Sequence, residues 1–232
     1  DNIVSIGYEC TPAYFIRNLW FTQKFELDGC HDFFNKDFKS KYPHGSFLFD
    51  NLALPDINSL VNIFRNRFQN IFHLENLRPK RRLDKRKLCA FDEERNIMFY
   101  HLLNLDETFG LSPKAKRTFK NHLVENHSLF KQKYDYLSEK MRNLIDSDKD
   151  VLFVLYTKQS YSDFVRNFYE VMGEINCNCS LLILCTKKNI EPDVKLPPNI
   201  FLKRVSGRWK GSCINQKSWL TALNEFKFKE TD

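Results

Sequence analysis

Two uninterrupted apolar runs in the last third of the chain, Val151-Leu-Phe-Val-Leu-Tyr156 and Ser180-Leu-Leu-Ile-Leu-Cys185, constrain its fold most. A strand with one wet face alternates apolar and polar residues, whereas a strand without that alternation must be covered on both faces. Between the two runs, Tyr161 to Met172 has helical spacing. Ile200-Phe-Leu-Lys-Arg-Val205 follows after a loop holding Pro192, Pro197 and Pro198. Strands separated by a helix predict a parallel sheet. With Ile3-Val-Ser-Ile-Gly7 as another such strand, the expected fold class is α/β: a layered, mostly parallel sheet flanked by helices.

The remaining elements follow from periodicity. Pro12 to Trp20 reads as a helix burying Ala13, Ile16 and Trp20. Thr22 to Gly45 is a long polar loop carrying Phe25, Phe33, Phe34 and Phe38, and Ser46-Phe-Leu-Phe-Asp50 is strand-like. Ile57, Leu60, Val61, Phe64 and Phe68 mark the core stripe of a helix. Leu88-Cys-Ala-Phe91 and Ile97-Met-Phe-Tyr-His101 predict a β-hairpin. Ser112-Pro113 opens a helix of about thirty residues, with Ser as cap and Pro at the first helical position, and places His122 and His127 on its solvent side. The whole is read as one α/β domain over residues 1–232, whether or not it belongs to a longer natural chain.

Composition narrows the setting. No apolar window approaches the roughly 18 residues of a membrane span, and Asp1-Asn2 leads directly into a strand, so no signal peptide is expected at this start. Seven cysteines, an odd number without a pairing pattern, predict reduced thiols and a cytoplasmic location. The net charge of +7 is concentrated in residues 78–87, where seven of ten are basic. An anionic ligand could be held there, but the run has no interleaved aromatics, which argues against nucleic acid. The simpler reading is a solvated connector into the hairpin. Gly7 is the only glycine in the first strand-to-helix turn, so no dinucleotide cofactor is expected. Cys177, Cys179 and Cys185 lack the second ligand pair of a zinc site and are expected to pack in the sheet.

The candidate chemistry centres on Cys10. It follows a strand and precedes Thr11-Pro12, a cap and first helical position, so its thiol faces unpaired N–H groups and the positive end of a helix dipole, which favour the thiolate. The competing fate is a small buried hydrophobe, common for free cysteine. A thiol nucleophile needs a base and a group that orients it. His101 ends an apolar run, a rigid place from which to aim an imidazole. His31 and His44 lie in the long loop, and His73 follows a helix end. Asp50 ends its own run and suits either an imidazolium partner or a turn cap.

These residues together resemble a family. Val4-Ser-Ile-Gly-Tyr-Glu-Cys10-Thr-Pro-Ala, Phe47-Leu-Phe-Asp50-Asn-Leu, Ser59-Leu-Val-Asn-Ile-Phe-Arg-Asn-Arg-Phe, Phe99-Tyr-His101 and Val151-Leu-Phe-Val154 are similar, in that order, to a bacterial domain family of papain-like cysteine peptidases whose function is unknown. The resemblance implies a cysteine-dependent hydrolase or acyltransferase, with Cys10 as nucleophile and His101 as base, acting on an acyl or peptide substrate; no cofactor is expected. The chain departs from the family where Asn51 stands for Trp and Leu102 for Asp, which leaves Asp50 or Asn104 to orient the imidazole. A papain-like α+β fold is the alternative architecture that the family label implies. The alternative function is a non-catalytic or accessory domain in surface-polysaccharide biosynthesis, binding a sugar or nucleotide-sugar at the strand C-termini.

Overall fold

A computed structural model describes residues 2–6, 16, 48–50, 52–81, 88–99, 113–175, 178–186, 194–206 and 213–224. Its centre is a four-stranded, wholly parallel sheet in the order β1 (Asn2–Ser5), β5 (Val151–Thr157), β6 (Cys179–Cys185), β7 (Ile200–Arg204). Every residue of β5 is buried. The pleat sends Phe153 and Leu155 to one face and Leu152, Val154 and Tyr156 to the other. Both faces are covered, as the unbroken apolar run requires.

On the first face lie α1 (Asn58–Arg65) and α4 (Ser162–Glu174), the latter being the crossover from β5 to β6. Helix α4 buries Phe164, Val165, Phe168, Val171 and Met172, a 3.6-residue stripe. On the second face α5 (Cys213–Asn224) places Trp219, Ala222 and Leu223 against the sheet, with the Trp219 ring 5.2 Å from that of Tyr156. Ile16, helical and half-buried, packs on this same face. The rest of the predicted Pro12–Trp20 helix, and the loop from Thr22 to Gly45, lie outside the described residues.

A second, antiparallel sheet of β2 (Leu77–Arg81), β3 (Leu88–Asp92) and β4 (Ile97–Phe99) contains the predicted hairpin. Ala53 adds to its β4 edge through two 2.8 Å backbone bonds with Met98. The hairpin turn has Asn96 at φ 55°, a left-handed conformation that asparagine tolerates. Asp92, fully buried, closes that turn by accepting the Arg95 N–H at 2.9 Å and its guanidinium at 3.2 Å.

Four expectations are corrected. The long helix is two helices, α2 (Pro113–Glu125) and α3 (His127–Ile145), broken at Asn126. Asn126 leaves helical geometry, and its side-chain amide donates to the His122 carbonyl at 2.9 Å, a local bond that competes with the helical ladder. Leu48–Asp50 is a 3₁₀ turn, not a strand, since a run this short leaves periodicity undecided. Residues 78–81 of the basic segment belong to edge strand β2, where Pro79 is tolerated, so the connector reading fails for them. Residues 82–87 lie outside the described residues. Finally, α1 ends at Arg65, and Phe68 reaches the core by a chain reversal with Arg67 at φ 49° and Phe68 at φ 58°.

One contiguous apolar core includes residues from both sheets. Phe64 sits at a junction within it, its ring 4.9 Å from Phe68, 5.1 Å from Phe153, 5.0 Å from Phe168 and 6.1 Å from Phe49. Phe64→Ala is expected to cost about 3–5 kcal/mol in urea denaturation, the range for a buried aromatic whose neighbours cannot collapse. A loss below about 1 kcal/mol would show that these rings are not packed as one unit.

Candidate functional site

In parallel α/β sheets the polar opportunity lies at the carboxyl ends of the strands, where chain segments part toward opposite faces. Here the parting falls between β1 and β5. After β1 the chain has reached the second face by Ile16, whereas β5 leads to α4 on the first. The β1–β5 ladder continues to Ile6, whose N–H donates to Val154 at 2.9 Å. Ser5, 3% exposed, has no hydrogen-bond partner for its hydroxyl among the described residues. An unpartnered buried hydroxyl is uncommon in folded proteins, and this one stands at the start of the segment carrying Cys10.

The neighbouring strand end is fully engaged. The buried Thr157 hydroxyl accepts the Gln159 N–H at 2.9 Å. The Gln159 side chain reaches across to the segment before α1, donating to the Pro55 carbonyl at 2.7 Å and accepting the Ile57 N–H at 3.1 Å. Asp56 completes this entry by accepting the Asn58 N–H at 2.9 Å. These bonds bind the insertion between β1 and β5 to the sheet's carboxyl edge. At β7, Ser206 and Ser218 join the strand end to α5, their hydroxyls 2.9 Å apart.

Cys10 and His101 lie outside the described residues, as do His31, His44, Asn104 and Cys177. Asp50 is described only in its backbone, as the last residue of a 3₁₀ turn. The remaining histidines are placed. His73 is exposed, and its carbonyl accepts the Asn76 N–H at 3.2 Å. His122 and His127 are half-buried, contrary to expectation: the His127 ring stacks on Phe72 at 5.9 Å, and the His122 ring lies 5.9 Å from Phe130. Both imidazoles cover the aromatic core between α3 and the second sheet.

Among the described residues no group of histidine, cysteine and carboxylate side chains could hold a metal ion, and no helix is long and apolar enough to cross a membrane. Cys89 and Cys185 are buried thiols outside any disulfide. Cys179 is disulfide-bonded, which corrects the expectation of uniformly reduced thiols. Its partner is neither Cys89 nor Cys185. The buried Asp92 and the bridging Gln159 had no signal in the sequence, because a turn carboxylate and an exposed-loop glutamine look alike until their partners are in place. No protein family, curated protein or solved structure matches this chain.

Cys185, at the carboxyl end of β6, is the opposite of an activated thiol. Burial pushes it up to about 11, against a smaller opposing pull from Arg204. The folded protein therefore holds a proton that the unfolded chain releases above about pH 9. Stability contributed by the neutral thiol is complete below that value and is lost as pH rises toward 11. The expected loss is of order 2 kcal/mol. Burial raises the Tyr134 phenol also, adding loss above about pH 10, while burial lowers Lys133 and acts in the opposite sense. The difference between the parent and Cys185→Ala isolates the thiol: urea denaturation from pH 8 to 10 should show a flatter decline in the variant, and equal slopes would refute the assignment.

Proposed function

We propose that the chain is a cysteine-dependent hydrolase or acyltransferase in which Cys10 is the nucleophile, His101 the base and Asp50 the group that orients it. The supporting observation is the architecture on either side of Cys10. A buried strand stays in register with β5 through Ile6, and the chain is helical at Ile16 on the second face. Cys10-Thr-Pro falls in that strand-to-helix connection, the setting in which unpaired helix N–H groups favour a thiolate.

In the proposed reaction the Cys10 thiolate attacks an amide, ester or thioester carbonyl, forming a carbon–sulfur bond. His101 carries the thiol proton to the leaving group as its bond to the carbonyl carbon breaks. Helix N–H groups stabilise the oxyanion. Water or an acceptor nucleophile, deprotonated by His101, then attacks the thioester and releases Cys10. Asp50 keeps the imidazole in the required tautomer and stabilises its charged form.

Iodoacetamide labelling across pH, read by peptide mapping, tests the nucleophile. Buried Cys89 and Cys185 provide unreactive internal references. Cys10 should label with a midpoint below the ordinary thiol value of about 8.5, and His101→Ala should raise that midpoint. Asp50→Asn should keep the fold and slow labelling at neutral pH. An ordinary Cys10 midpoint, together with undiminished ester hydrolysis by Cys10→Ala, would overturn the proposal.

The second reading is a binding domain without chemistry, taking a sugar or nucleotide-sugar at the carboxyl edge. It is favoured by the wholly parallel sheet, whose strand carboxyl ends form a natural ligand crevice. A panel of nucleoside diphosphate sugars should then raise the melting temperature of the parent and of Cys10→Ala equally. No shift with any member of the panel, alongside Cys10-dependent turnover, would remove this reading.

A further inference from the structure

A groove of about 590 Å³ runs between β2, an edge strand of the second sheet among the described residues, and α2. Its floor is apolar: Leu77, Phe119 and Leu123 line it and are each 5% exposed or less. Its rim is cationic, with Arg78 on the strand side and Lys116 and Lys120, one helical turn apart, on the other. Glu75 is the single acidic residue among the described lining side chains. The three rim cations are exposed, and among the described residues none of them pairs with a carboxylate. Solvent-exposed cations are ordinary; cations ringing a recessed apolar floor and left without counter-charges are a recognition pattern.

The local chemistry selects among occupants. Strand addition is disfavoured, because Pro79 has no N–H to offer and the Arg78 guanidinium occupies the Leu77 and Glu75 carbonyls at 2.9 and 2.7 Å. A membrane surface needs protruding apolar side chains, but the floor is recessed and only Val124, 55% exposed, stands out at its rim. Single-stranded nucleic acid needs accessible aromatic faces, whereas Phe119 is 2% exposed. An acidic peptide with a bulky apolar side chain meets both features: the side chain fills the floor, and flanking carboxylates answer Arg78, Lys116 and Lys120.

We propose that the β2–α2 groove is a docking site for a partner protein's acidic segment carrying a bulky apolar anchor. The surface is distinct from the carboxyl edge of the parallel sheet, and the proposal stands whether or not the chain is an enzyme.

Fluorescence polarisation with labelled Asp-Glu-Phe-Leu-Glu-Asp tests it, with Asp-Glu-Ser-Ser-Glu-Asp as the anchor-free control. Lys116→Glu/Lys120→Glu reverses the rim. Lys114→Glu/Arg117→Glu, on exposed positions of the same helix that do not line the groove, makes the same change in net charge. The Phe-Leu peptide should bind at least ~10-fold tighter than the Ser-Ser peptide, and the rim variant should lose at least ~10-fold while the control variant keeps most of the affinity. Unchanged melting temperatures would confirm that both variants fold. Phe119→Ser, read against the same peptides, would abolish the advantage of the apolar anchor. Equal binding of the two peptides, equal loss in the two charge variants, or binding to phosphatidylglycerol vesicles without binding to the Phe-Leu peptide would each overturn the proposal.

Discussion

Complete burial of β5 is the constraint on which the rest of the structure depends. A strand with no wet residue must have both faces covered and both edges paired, or it leaves apolar surface and backbone polar groups exposed. β1 and β6 take the edges. Helices α1 and α4 cover one face through an aromatic cluster around Phe64, and α5 covers the other through Trp219. The second sheet joins the same core through Phe72, Phe99 and Tyr134, whose rings lie 5.0–5.6 Å apart.

That arrangement settles where polar chemistry can reside. Within β5 and β6 the side chains are mainly apolar, and much of the polar bonding described here lies where the strands end. At β5 and β7 they are already committed, Thr157 and Gln159 to the entry of α1 and Ser206 to α5. In β1 the Ser5 hydroxyl has no partner among the described residues. The contrast gives the β1 end a different character from its neighbours, and it is the end that leads in sequence to Cys10.

The parallel sheet was legible because both apolar runs were long, unbroken and separated by a helical stripe. Elements whose signal is charge or a local bond were not. β2 is written Leu-Arg-Pro-Lys-Arg, and its cationic edge hides a strand whose buried contribution is mainly Leu77. The break at Asn126 is accompanied by one local bond from its side-chain amide, which the helical spacing of the surrounding apolar residues does not reveal. The candidate site was legible only piecewise. Local context marks Cys10, His101 and Asp50 one at a time, and no periodicity encodes a contact between residues so far apart in sequence. Gln159 shows the same limit, since its two partners lie about a hundred residues upstream.

Asn2 pairs with Val151, so the sheet's first strand waits for nearly two-thirds of the chain before its neighbour exists. During synthesis β5, β6 and α4 can assemble locally, but β1 must remain extended and unpaired until they emerge. The intervening insertion must therefore fold without blocking this pairing. It must collapse without capturing Ile3, Val4 and Ile6, and it must deliver them to an edge that would otherwise recruit a foreign strand. The bonds from Gln159 to Pro55 and Ile57 anchor the insertion just past the carboxyl end of β5, the strand whose lateral edge β1 finally takes.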